Sequence, residues 1–111
     1  MHTILMSQLK KRADQMKEHI NDIGKLEELY FLVAYDIGIY NDLYVEYLPV
    51  VRKKKTELKE GSIASQDREF ELTDEYQLMK EYKYTIKGLE KIMAGIRMRS
   101  ESLKANLRGD Y

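Results

Sequence analysis

An all-helical, elongated fold that assembles with copies of itself is predicted by three features of this 111-residue sequence. Apolar residues recur at every seventh position from Leu9 through Met16, Ile23, Tyr30, Ile37, Tyr44 and Val51 to Leu58, a persistence that argues for helix. A second seam, stepping by three and four, runs through Met79, Tyr82, Ile86, Leu89, Met93, Ile96, Ser100, Leu103 and Leu107. Helix breakers are sparse: one proline and six glycines, of which only Gly61 sits in a convincingly polar stretch.

In chain order, the first helix is expected near residues 4–23, with Gly24 as the break. The second is expected over 25–59, kinked at Pro49, because proline removes a backbone donor and its ring crowds the preceding turn. Residues 60–73, beginning Glu60-Gly61-Ser62, read as a loop. The last helix is expected over 74–107: Thr73 is placed to cap it, Asp74 and Glu75 suit its positive end, and Lys104, Arg108 and Gly109 suit its close. Together these make one domain over 1–111, an elongated helical hairpin or three-helix bundle with a long C-terminal coiled-coil helix.

Self-association is expected from the C-terminal seam. Leu78 and Ile92 widen it beyond what two strands need, pointing to three or more helices. A helix of this length extends ~50 Å, and the first helix is too short to cover it. Met79, Tyr82, Ile86, Leu89, Met93, Ile96, Leu103 and Leu107 are therefore the expected oligomer interface, with a lone elongated bundle as the alternative. Gly88, Gly95 and Ser102 repeat at seven on another part of the surface, where a neighbouring backbone can approach closely; two tolerated exposed glycines are the plainer explanation.

Composition narrows the chemistry. Nineteen basic and nineteen acidic residues leave no net charge, so attraction to nucleic acid has to be local. No cysteine is present, which removes disulfides and thiolate sites and suits a reducing cytoplasm. Met1 to Met6 offers no signal-peptide stretch, and the charge-free run Leu29 to Tyr35 is far short of the ~20 residues that span a bilayer. His2 and His19 fit no metal-ligand spacing, and His19 with Asp22 makes two ligands rather than a site. Acid pairs such as Glu27 and Glu28 are commonplace on charged helices. No phosphate loop or nucleophile motif occurs, so no catalytic residue, metal or cofactor is expected and the chain is read as a non-enzyme.

The local feature with functional content is the basic run Arg52-Lys53-Lys54-Lys55, with Lys59 one turn on, preceded by Tyr35, Tyr40, Tyr44 and Tyr47. Single-stranded nucleic acid is commonly held by cations for its phosphates and aromatic rings for its bases. Arg52, Lys53, Lys54, Lys55, Lys59, Tyr40 and Tyr44 are the expected contacts. A solvated helix end and tyrosines at the edge of a core remain open alternatives. The last helix adds Lys80, Lys83, Lys87, Lys91, Arg97, Arg99 and Lys104, which an assembly would multiply.

A basic helix, a glycine-containing polar loop and an apolar C-terminal seam ending in Arg99-Ser100-Glu101-Ser102-Leu103-Lys104 resemble, over residues 40–105, the bacteriophage recombination mediator family of the UvsY type. The resemblance implies a homo-oligomeric ring that binds single-stranded DNA and helps a recombinase displace a single-strand-binding protein. It places DNA contacts near Lys55 and Lys59, although Lys55-Thr56-Glu57-Leu58-Lys59-Glu60-Gly61 lacks the family's arginine and paired tyrosines. Two other classes are open: a small phage or mobile-element protein that inhibits or adapts a host or defence protein through helix–helix contacts, and a structural helical adaptor.

Overall fold

The computed structural model describes residues 2–58 and 61–109, with side chains from residue 7 onward. Among them are four helices and no strand: α1 (His2–Glu18), α2 (Ile23–Glu57), α3 (Ile63–Glu71) and α4 (Asp74–Arg108). The molecule measures 66 × 24 × 19 Å with a radius of gyration of 19.0 Å, against the ~13 Å of a compact domain of similar size.

Local capping decides where the rods begin. The first break lies at residues 19–22, earlier than the Gly24 expected from sequence. Asp22 is extended, and its carboxylate accepts a hydrogen bond from the Lys25 N–H at 3.0 Å, satisfying an otherwise orphaned donor of the first turn. Gly24 then falls inside the start of α2. Pro49 also lies within α2, which continues through it to Glu57. The donor that proline lacks would have reached the carbonyl of Val45, and both residues are exposed, so water can satisfy that oxygen.

The expected 60–73 loop is corrected by α3. Gly61 turns the chain at φ +87°, Ser62 accepts from the Ser65 N–H at 3.2 Å, and the helix so started buries Phe70. Thr73 caps α4 by accepting from the Tyr76 N–H at 3.2 Å, with Asp74 and Glu75 in its first turn. Gly109 ends α4 in the left-handed conformation, donating to the carbonyls of Ala105 and Asn106.

Tertiary pairing follows the two seven-residue patterns. α2 runs antiparallel to α4: Glu27 pairs with Lys104 near one end, and Tyr47 meets Tyr82 towards the other. α1 runs parallel to α4, since Leu9 seats on Gly88, Met16 on Gly95 and the α1–α2 turn on Arg99. Leu26, Leu29, Val33, Leu89 and Ile96 form the buried centre, flanked by Leu9, Met16, Tyr30, Ile37 and Met93. Each fully buried side chain of this kind contributes about 1.5–3 kcal/mol.

One charged pair is buried with them. Arg12 donates through Nε and Nη2 to the two carboxylate oxygens of Asp36, at 2.6 and 3.3 Å, locking α1 to α2. Gln15 accepts from Arg12 and Gln8 donates to Asp36, so each nitrogen of the guanidinium and both carboxylate oxygens have a partner. Among the described residues, no helix is long and apolar enough to cross a membrane.

The seam of α4 is occupied within the chain. Tyr82, Ile86, Leu89, Ile96 and Ser100 are buried, and Met79, Met93 and Leu103 are half-buried. Of the interface expected from sequence only Leu107 stands clear of the bundle, at 79% exposure. The reason is length: α2 matches α4 residue for residue, at 35 each, and α1 fills the groove beside them.

Candidate nucleic-acid interface

Gly88 and Gly95 mark the side of α4 that α1 occupies. Lys83 lies five residues before Gly88, about 140° round the helix, and therefore on the opposite side. There the end of the hairpin nearest α3 brings cations and rings together. Lys55 Nζ stands 5.5 Å from the centre of the Phe70 ring, Lys80 Nζ 5.6 Å from Tyr76, and Lys83 Nζ 5.9 Å from Tyr44. Phe70 meets Tyr76 edge-on at 5.1 Å, so Lys55, Phe70, Tyr76 and Lys80 form one continuous group contributed by α2, α3 and α4. Tyr47 and Tyr82 make a second edge-on pair at 6.1 Å.

The track continues along α4. Lys80, Lys83, Lys87 and Lys91 recur at steps of three, four and four, so they form one row over roughly 16 Å, which ends at Lys91 towards the side that α1 occupies. Glu90 interrupts it as an exposed acid. Lysine over an aromatic face is a weak, reversible contact of about 0.5–1 kcal/mol when exposed. An incoming phosphate can therefore draw the ammonium off the ring, and at the half-buried Tyr44 and Tyr76 a base can take its place, whereas Phe70 is buried.

Two tyrosines are set further in. Burial pushes the Tyr47 hydroxyl above its ordinary value, assisted by Glu75; burial does the same at Tyr40, assisted by Asp36.

The residues expected from sequence are not all gathered here. Arg52, Lys53, Lys54 and Lys55 point in four directions, as successive positions on a helix must, and only Lys55 joins the aromatic group. Tyr44 joins through Lys83, whereas Tyr40 is half-buried against the core. Lys59 lies outside the described residues. Ser102, seven residues beyond Gly95, is exposed. Phe70 and Tyr76 were missed. The four-residue spacing of Tyr76 and Lys80 was a legible signal for one of them, but Phe70 sat in a stretch read as loop.

Farther along α2 and α4 lies a hollow of about 320 Å³ lined by Glu27, Tyr30, Phe31, Ile96, Arg97, Ser100, Glu101 and Lys104. Lys104 is paired with Glu27 at 2.7 Å, and the Ser100 hydroxyl is buried with no hydrogen-bond partner. Among the described residues, no group of three His, Cys, Asp or Glu could hold a metal ion. His19 is half-buried in the α1–α2 turn, and Asp22 serves as the cap of α2.

No family model, curated protein or solved structure matches this chain. The run that carries the resemblance to the recombination mediators has packing duties here. Arg99 donates to the Ile20 carbonyl at 2.8 Å and to Asn21 at 2.6 Å, Ser100 is buried, Leu103 borders the core and Lys104 holds Glu27.

Proposed function

We propose that this chain is a non-enzymatic helical module that binds single-stranded DNA along the cationic, aromatic side of its α2–α4 hairpin. The observation that carries the reading is the triple placement of a lysine over a ring, at Phe70, Tyr76 and Tyr44, in line with the lysine row of α4. Phosphates would exchange onto Lys55, Lys80, Lys83, Lys87 and Lys91 while unpaired bases stack on the half-buried Tyr44 and Tyr76 rings, the buried Phe70 serving only to position Lys55. Duplex DNA hides its base faces and should bind more weakly. Loading of a recombinase against a single-strand-binding protein, the role the resemblance implies, is the finer form of this reading.

The experiment is fluorescence anisotropy of a labelled single-stranded oligonucleotide at low salt. Combined alanine substitution of Lys55, Lys80 and Lys83 should weaken binding at least tenfold, whereas Lys53→Ala, on another side of α2, should have little effect. Equal loss in both variants would place the contact elsewhere.

A further inference from the structure

Beside α1, along the helical stripe that passes close to Asp36, α2 presents an apolar strip that is partly open to solvent. Leu32, Ile39, Leu43 and Val50 are 45%, 39%, 39% and 47% exposed, and Tyr35 flanks them at 68%. Their positions are symmetric about residue 41: Ile39 and Leu43 lie two residues either side of it, Leu32 and Val50 nine. Exposed charges towards the two ends follow the same symmetry with opposite sign, Lys25 and Glu28 also pairing with each other at 3.6 Å, whereas Asp42 lies beside the axis and faces its own copy. Lys25 and Glu57 lie sixteen residues either side; Glu28 lies thirteen before and Lys53 twelve after. Tyr35 and Glu46 lie six before and five after.

Such a pattern is complementary to itself when reversed. In a two-fold contact each residue meets the one equally far beyond the axis, as an isologous interface requires. We propose that this chain forms a symmetric dimer in which α2 of one copy lies antiparallel on α2 of the other, with the axis at the level of Asn41. Leu32 then meets Val50 of the second copy, and Ile39 meets Leu43. Lys25 stands opposite Glu57, Glu28 opposite Lys53, and the Tyr35 hydroxyl beside the Glu46 carboxylate. Each pairing occurs twice.

Between Lys25 and Glu57 the strip is roughly 48 Å long and about 10 Å wide, so two copies together cover on the order of 1,000 Å², the threshold of a specific interface. Acids on the strip, Glu28, Asp42, Glu46 and Glu57, argue against an anionic lipid surface as the occupant. The α2 strip and the lysine–ring group are separate surfaces, so either assignment can fail without the other. In the dimer the two lysine–ring groups lie towards opposite ends.

The test is sedimentation equilibrium on the full chain, with circular dichroism to report folding. The wild type should sediment at twice its 13.2 kDa chain mass. Ile39→Asp should sediment as a single chain of unchanged helicity, because Ile39 is already partly in water in the lone subunit. Lys25→Glu and Glu57→Lys should each weaken the dimer on the order of tenfold, since each turns two attractive pairs into repulsive ones. Combining them should restore it, which a structural role for either residue would not do. A single-chain mass for the wild type at millimolar concentration would overturn the proposal. So would a dimer that survives Ile39→Asp, charge reversals that fail to compensate, or a lone chain that sediments only with neutral lipid vesicles.

Discussion

Gly88→Ala probes the seating of α1 most sharply. A methyl group built on Gly88 would lie 2.8 Å from both Leu9 Cδ atoms and 3.4 Å from Leu9 Cγ, where carbon atoms prefer 3.5–4.0 Å. Leu9 borders the buried core, so it has to change rotamer or carry α1 outward, an overpacking cost of about 1–3 kcal/mol. Against that, alanine improves on glycine by up to ~1 kcal/mol in a helix interior. Gly38→Ala isolates this second effect, because nothing lies within 4 Å of the methyl it would add. In urea denaturation Gly38→Ala should be more stable than wild type by up to ~1 kcal/mol, with Gly88→Ala lower than Gly38→Ala by about 1–3 kcal/mol. Leu9→Ala in the Gly88→Ala background should cost less than Leu9→Ala alone, since the two changes share one contact. Equal stability of the two glycine variants, with additive Leu9 behaviour, would refute the seating of α1 on α4.

Arg12→Met should destabilise the fold by about 3–5 kcal/mol in thermal or denaturant unfolding, because it strands the Asp36 carboxylate, whose side chain is only 8% exposed. Adding Asp36→Leu should recover much of the loss, as removal of both charges leaves nothing unpaired. In an alkaline titration followed by tyrosinate absorbance, two of the nine tyrosines, Tyr40 and Tyr47, should ionise late. Their folded values lie above the ordinary 10.0, so the stability they contribute is complete below pH 10 and is lost as pH rises through those folded values. Loss of the late phase is expected in the Tyr40→Phe, Tyr47→Phe double variant.

Periodicity made the rods legible, and caps made some of their ends legible. The seam from Met79 to Leu107 and the Thr73 and Gly109 caps place α4 to within a residue of its observed end. Asp22 escaped notice because Gly24 is the louder breaker, although an aspartate that caps a first turn fixes a helix start more firmly than a glycine ends one. The α3 helix escaped for a related reason: a glycine and serines suit both a loop and a helix start, and only the burial of Phe70 decides between them.

The seam itself carried no information about which chain would cover it. A heptad pattern reports burial, and α2 and α1 supply that burial internally at Leu89 and Ile96. A partly open apolar strip lies instead on α2, whose middle carries apolar residues on both its inner and outer sides, so that a seven-residue recurrence could not separate the two. The candidate site was legible in kind, as lysines beside tyrosines. It was not legible in place, because Lys55, Phe70 and Tyr76 become neighbours only when α3 folds back between the two long helices.

The claim that the lysine–ring side of the hairpin takes single-stranded DNA is tested most directly by the salt dependence of oligonucleotide affinity. If Lys55, Lys80, Lys83, Lys87 and Lys91 each neutralise one phosphate, log affinity should fall with log salt at a slope of about −3.5, and removing Lys55, Lys80 and Lys83 should reduce that slope by about 2. An affinity indifferent to salt, or a slope the triple variant leaves unchanged, would contradict it.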